Sequence, residues 1–154
     1  MDAFSYPIER HILNTAGIDN YPDYQYDMVR LGIGLYGISV SDLSPEIKPI
    51  SRLKSIIIQK KQLKKGDSIG YGRKTIAEKE MTIAMVPIGY SDGLRRSLGN
   101  GNFSFYLNGK PCFIVGNVCM DMCMIDDTAI ADVQEGSEVE RFGEHMTVNE
   151  IVEK

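Results

Sequence analysis

The feature that most restricts what this chain can fold into is Asn108-Gly109, set between two apolar-rich runs, Phe103 to Leu107 and Pro111 to Val115. Asn and Gly both accept the positive φ that the two central positions of a type I′ turn require, so the flanking runs are predicted to pair as a tight antiparallel hairpin. The surrounding sequence has the same short-strand rhythm. A run from Leu53 to Leu63 contains Ile56-Ile57-Ile58 and ends at the turn Lys64-Lys65-Gly66-Asp67. Between residues 81 and 86, Met81, Ile83 and Met85 alternate with Thr82, Ala84 and Val86, which predicts a strand with one apolar face. Residues 118–125 read as a further strand stopped by Asp126-Asp127, and 137–142 as another. Residues 50–154 are therefore expected to be mainly β, a small barrel or sandwich.

Upstream the pattern differs. Ile12-Leu13 and the run from Met28 to Gly37 are separated by a polar, tyrosine-rich stretch, residues 20–27, as if two strands of a larger sheet were joined by a short helix. Some forty residues are too few for a complete domain of that kind, so 1–38 is expected to be the tail end of one. Residues 39–49, with Ser, Pro and Asp at turn-forming positions, read as a linker. At the other end Thr147 and Glu150 form a capping box with only a turn or two to follow, so the last domain is expected to be truncated at its C-terminus.

Composition narrows the function classes. With 154 residues and 43% apolar content the chain can bury a core, which excludes intrinsic disorder. A net charge of -4 with scattered Lys and Arg gives no basic footprint for nucleic acid. No run approaches the roughly 18 apolar residues of a membrane span, and Met1 to Pro7 lacks a signal peptide's basic start, so a soluble, cytoplasmic protein is expected. Cys112, Cys119 and Cys123 form no Cys-x-x-Cys pair, and His11 and His145 are far from them in sequence. Reduced, buried thiols are expected, with no metal site.

Two glycine-tyrosine clusters stand out, Gly70-Tyr71-Gly72-Arg73 and Gly89-Tyr90-Ser91-Asp92-Gly93. Flanking glycines let the backbone approach closely and present a phenol in a tight cleft; the alternative is a turn whose Tyr packs on the barrel. Arg73 would favour a phenolate at Tyr71, whereas Asp92 would oppose one at Tyr90. Arg30 lies among Met28, Val29, Leu31 and Ile33, so its guanidinium either reaches solvent or meets a ligand at the strand end. Asn14-Thr15 offers short hydrogen-bonding groups, and Asp121 is a lone carboxylate in an apolar stretch.

Four segments then carry a resemblance: Asp27 to Gly37, Gly70-Tyr71-Gly72, Val86 to Gly93 and Ile114 to Asp121. In this order they resemble the C-terminal part of the alanine racemase family, over a span from about Ile12 to the C-terminus. Thr15 stands where the family usually has Ser, and Asn117 where Arg is common. The resemblance implies a pyridoxal 5'-phosphate enzyme with an N-terminal (β/α)8 barrel, whose last strands would be residues 1–38, and a C-terminal β domain. The Schiff-base lysine would lie upstream, so the isolated chain is expected to be inactive. By resemblance Tyr71 is the base acting on the L-alanine face and reaches the partner's site in a homodimer. Arg30, Asn14, Thr15, Gly32 and Ile33 are cofactor-binding; Met120 (through its N–H) and Tyr90 are substrate-binding; Asp121 is supporting. The alternatives are a non-catalytic β module for dimerisation or binding, and a fold-related pyridoxal-phosphate decarboxylase. The latter usually has Cys followed directly by an acid, unlike Cys119-Met120-Asp121.

Overall fold

The computed structural model describes residues 4–38 and 47–152, in two units divided between Ser51 and Arg52. In the first unit, helix α1 (Thr15–Asn20) is capped by Asn14, whose Oδ1 accepts the Gly17 N–H at 3.0 Å. The segments before and after it run side by side in parallel: His11 bridges Met28, the Asp27 N–H donates to the Arg10 carbonyl, and the Arg30 N–H to that of Leu13. Two full strands were expected here; one bridge forms. The second run leaves the extended conformation because the Thr15 hydroxyl accepts the N–H groups of both Gly32 and Gly34, at 3.1 and 3.2 Å. Residues Ile33–Tyr36 then close a 3-10 turn, ended by Gly37 at φ 77°.

The second unit is mainly β, as the strand rhythm predicts. Its strands are β1 (Leu53–Ile56), β2 (Gln59–Leu63), β3 (Ser68–Ile69), β4 (Thr75–Ile76), β5 (Met81–Val86), β6 (Ser104–Leu107), β7 (Lys110–Val115), β8 (Cys123–Asp126) and β9 (Glu138–Phe142). Seven of them form one antiparallel sheet in the order β1-β9-β6-β7-β8-β5-β2, while β3 and β4 pair only with each other. The edge strands β1 and β2 are consecutive in sequence, and the residues between them close the sheet. Ile57 donates to the Ser137 carbonyl beside β9, and Ile58 donates to the Met85 carbonyl of β5. The run Ile56-Ile57-Ile58 thus ends β1 and supplies the two residues that join it to β2, and the sheet curls round on itself.

Inside the curl lies the main core, including Ile57, Val86, Leu94, Phe103, Phe105 and Ile125. Each large side chain fully buried there contributes roughly 1.5–3 kcal/mol. A second cluster of Leu63, Ile69, Ala77, Met81, Ile83 and Met124 seats the β3–β4 hairpin. Strand β5 therefore serves two cores. Met81 and Ile83 enter the second cluster, Ala84 and Val86 the main one, and Met85 is only partly buried, so the one apolar face predicted for it becomes two.

The hairpin at Asn108-Gly109 forms as predicted, with φ of 50° and 74° and Leu107 paired with Lys110. The strand expected over 118–125 starts only at Cys123. Residues 119–122 turn instead, the Cys119 N–H donating to the Met122 carbonyl. Helix α2 (Val148–Val152) begins at the expected box, where the Thr147 N–H donates to Glu150 at 2.6 Å. Cys112, Cys119 and Cys123 are free thiols; burial pushes Cys112 up to about 11 and Cys123 up to about 12, so both stay protonated near neutrality. Among the described residues no helix is long and apolar enough to cross a membrane.

Candidate functional site

In the second unit a cleft of about 480 Å³ brings together Tyr71, Tyr90, Met120 and Asp121, with Arg96 and Asn117 completing its polar lining. Four residues singled out in the sequence, spread over fifty positions, therefore share one cavity. A larger groove, about 840 Å³, runs past Ile76, Phe113 and Ile130 and holds none of them. Volume alone does not mark a site; convergent polar groups do.

Tyr71 sits at the tip of the β3–β4 hairpin and is 87% exposed. Its neighbours Gly70, Gly72 and Arg73 all have positive φ, of 72°, 84° and 51°. A β-carbon at Gly72 would meet nothing within 4 Å, so this glycine provides backbone direction, not the close approach expected from sequence. The Arg73 N–H donates to the Gly70 carbonyl at 3.4 Å, closing the turn that carries the phenol outward.

Close approach is found at Gly89. A β-carbon there would lie 2.0 Å from the Met120 carbonyl oxygen and 2.5 Å from that of Cys119. The bare backbone lets the Tyr90 N–H donate to Cys119 and the Ser91 N–H to Met120, both at 3.0 Å, while Ser91 Oγ donates to the same Met120 carbonyl at 2.8 Å. Ser91 Oγ is also 3.3 Å from Asp121 Oδ1. The peptides on both sides of Met120 are thus held by their carbonyls, and the Met120 N–H meets no acceptor among the described residues. Asp92 does not face the Tyr90 phenol as an isolated charge; its Oδ2 accepts the Gly89 N–H at 2.9 Å and caps its own turn. Over the Tyr90 ring lies the Arg96 guanidinium, 5.8 Å from the centroid. Sequence reasoning missed Arg96, because one Arg in a Leu-Arg-Arg-Ser stretch carries no local signal, and it missed the bracing role of Ser91.

The first unit holds the remaining candidates. Arg30 is exposed, and its Nη2 donates to the Ile12 carbonyl at 3.1 Å. Thr15 is 4% exposed and its hydroxyl accepts two N–H groups, which occupies both lone pairs and leaves its hydrogen to donate. Asn14 spends its carbonyl oxygen on the α1 cap. The Gly32 N–H is taken by Thr15, whereas that of Ile33, first in its 3-10 turn, has no carbonyl behind it in the turn.

Comparison with known proteins adds a second line of evidence. The family described as alanine racemase, C-terminal domain, matches residues 50–154. An alanine racemase of Clostridium tetani is 41% identical over 150 residues, covering 92% of this chain and 39% of that protein. A serine/alanine racemase of Enterococcus gallinarum is 42% identical over 136 residues, covering 84% of this chain and 19% of that protein. Among solved structures, the alanine racemase of E. faecalis superposes with a TM-score of 0.77 at 38% identity, covering 93% of this chain and 40% of that one. That of Bartonella henselae, with covalently bound pyridoxal phosphate, does so with a TM-score of 0.79 at 29% identity, covering 96% and 42%. The chain spans about two fifths of the length of the first of these relatives.

Proposed function

The chain belongs to the alanine racemase family, and from that premise we propose that the protein carrying it interconverts L-alanine and D-alanine with pyridoxal 5'-phosphate as cofactor. The observation that carries this reading is the convergence of Tyr71, Tyr90, Met120 and Asp121 on one cleft within the matched domain. The cofactor's chemistry fits the donors present in the first unit. The Thr15 hydroxyl keeps a hydrogen to donate, as a phosphate oxygen requires, and the Ile33 N–H and the small Gly32 and Asn14 leave room and a donor beside it. Arg30 supplies a guanidinium with donors to spare.

When bound, the cofactor makes the substrate's α-hydrogen acidic by delocalising the charge left behind. Arg30, permanently cationic and with N–H groups left over, would hold the cofactor at its ring nitrogen and so keep a proton off that atom. The Tyr71 oxygen takes the proton from the L face and returns it there, as a positioned general base and acid. A lysine outside these residues serves the other face. The Met120 N–H donates to the substrate carboxylate; the Tyr90 N–H, bonded to the Cys119 carbonyl, orients the peptide that carries it, and Ser91 with Asp121 fixes the peptide that follows. Tyr90, with Arg96 over its ring, narrows the way in. Because Tyr71 projects into solvent from its own domain, it is built to complete the site of a second subunit in a homodimer. The test is the full-length protein, loaded with cofactor and given either enantiomer of alanine. Approach to a racemic mixture from both sides is expected, and no interconversion would overturn the assignment.

A further inference from the structure

The hairpin that presents Tyr71 is weakly attached. Strands β3 and β4 are two residues each and pair with no other strand. Its apolar anchor is Ile69 in the second cluster, at the root of the hairpin. Among the described residues, a single hydrogen bond leads from residues 68–76 to the rest of the domain, from Thr75 Oγ1 to Asn100 Oδ1 at 3.3 Å. Asn100 passes the connection on, its Nδ2 donating to Asn117 Oδ1 at 3.1 Å. Its own place is fixed, because its N–H donates to the Gly116 carbonyl at 2.8 Å and its backbone sits at φ 56°, a conformation Asn tolerates better than most residues. Asn117 opens the loop that carries Met120 and lines the cleft. A β-carbon at Gly70 would lie 3.9 Å from the Asn117 nitrogen, so hairpin and loop already lie one over the other.

The geometry points to Asn100 as a positioning residue, which holds the Tyr71 hairpin in register over the Asn117–Met122 loop through Thr75 on one side and Asn117 on the other. This rests on Tyr71 acting as the proposed base. A phenol carried on a loose turn spends less time at the distance proton transfer needs, and a displacement of about 1 Å can cost up to about 100-fold in rate. Asn100 does not line the cleft and acts through the turn it steadies.

The test uses the full-length, cofactor-loaded racemase with Asn100→Gly, which keeps the left-handed backbone unstrained and removes only the side chain. Two readouts are taken: amide hydrogen exchange of residues 70–74, and exchange of the α-hydrogen of each alanine enantiomer in deuterated water. Faster amide exchange in the hairpin is expected, with the melting temperature unchanged. Loss of α-hydrogen exchange should be about 3- to 10-fold for L-alanine and under about 2-fold for D-alanine, absent when Tyr71→Phe is already in place. Asn100→Asp keeps the acceptor for Thr75, and Asn117 can turn its amide to donate, so it should restore both readouts. Unchanged hairpin amides overturn the proposal whatever Tyr71 does. So does an equal loss for both enantiomers with a lowered melting temperature, which marks a purely structural residue. If the hairpin loosens but Tyr71→Phe itself is not selective for L-alanine, the base assignment fails, and with it any catalytic consequence of Asn100.

Discussion

At the scale of single residues the two tyrosines of the cleft differ in a way their sequence surroundings do not reveal. Tyr71 stands free at a hairpin tip, 87% exposed, while Tyr90 is 45% exposed beneath Arg96 and tied by its N–H to Cys119. A phenol that must reach a substrate held elsewhere needs the first environment, and a side chain that narrows a passage needs the second. Tyr71→Phe removes only the oxygen and should slow α-hydrogen exchange of L-alanine at least about 100-fold more than that of D-alanine, within the range general acid–base groups contribute. Tyr90→Phe should mainly change apparent substrate affinity. Enantiomer-selective loss in the second variant would reverse the assignment. Of the two charges in the sequence-level argument, that of Asp92 is spent on capping its own turn at Gly89, while Arg73 is seen to close its turn through its backbone N–H. Adjacency in sequence says little about where a charge points. Glu140 gives a second residue-scale prediction. Burial opposes its ionisation, but hydrogen bonds from the His145 N–H and ring and from the Glu144 backbone prevail and hold its carboxyl below the usual carboxylate range. A depressed acid stabilises the fold fully above the unfolded value of about 4.3, and that contribution is lost as pH falls through the folded value. Melting temperature should therefore fall more between about pH 6 and pH 3 in the parent than in Glu140→Gln. Parallel curves for the two proteins would remove Glu140 from the acid sensitivity of the fold.

Elements whose conformation is decided locally were legible; those decided by distant partners were not. Asn108-Gly109 specifies its own turn, and the capping box of Thr147 and Glu150 specifies the start of α2. Gly109→Val forces a β-branched residue to φ 74° and brings a β-carbon to 3.3 Å from His145 Nε2. It should lower stability by more than about 1 kcal/mol, seen as a lower denaturant midpoint with an unchanged slope. No change in midpoint would mean that the turn is not held in its left-handed form. Residues 118–122, by contrast, have the composition of a strand but are captured by the Gly89-Tyr90-Ser91 backbone some thirty positions earlier. The alternation of β5 was equally misleading, because the hairpin on its outer side buries Met81 and Ile83 while the barrel buries Ala84 and Val86. Nothing within six residues can reveal a second layer that is supplied from elsewhere. The same holds for the cleft: its tyrosines and Met120 were marked by motif, but Arg96, Ser91 and Asn100 act through contacts that only the fold creates.

At the scale of the whole molecule the two units differ in what each can sustain. Residues 52–152 contain both apolar clusters and the closed sheet. In the described part of the first unit, Leu13 and Thr15 are buried, while Phe4, Tyr6, Ile12, Tyr21 and Tyr24 are each more than half exposed. Parallel strand segments normally need both faces covered, and one bridge with a helix of six residues cannot supply that cover. A polypeptide of residues 52–154 should therefore unfold in one cooperative transition, and one of residues 1–51 should show none. Limited proteolysis of the 154-residue polypeptide should pare it to a resistant piece beginning near Arg52. The proposed division of labour in catalysis follows the same line. Tyr71, Tyr90 and Met120 belong to the unit that holds both apolar clusters, whereas Arg30 and Thr15 belong to the unit whose described residues form none. The 154 residues alone thus keep the proposed L-face base, whereas the residues proposed to hold the cofactor lie in the less buried unit and the lysine proposed to carry it lies outside them. With pyridoxal 5'-phosphate added, they should convert L-alanine to D-alanine no faster than the free cofactor does. Turnover above that background would mean that a lysine within the 154 residues carries the cofactor. A proteolytic core that retained residues 1–51 would contradict the exposed apolar surface on which the prediction rests.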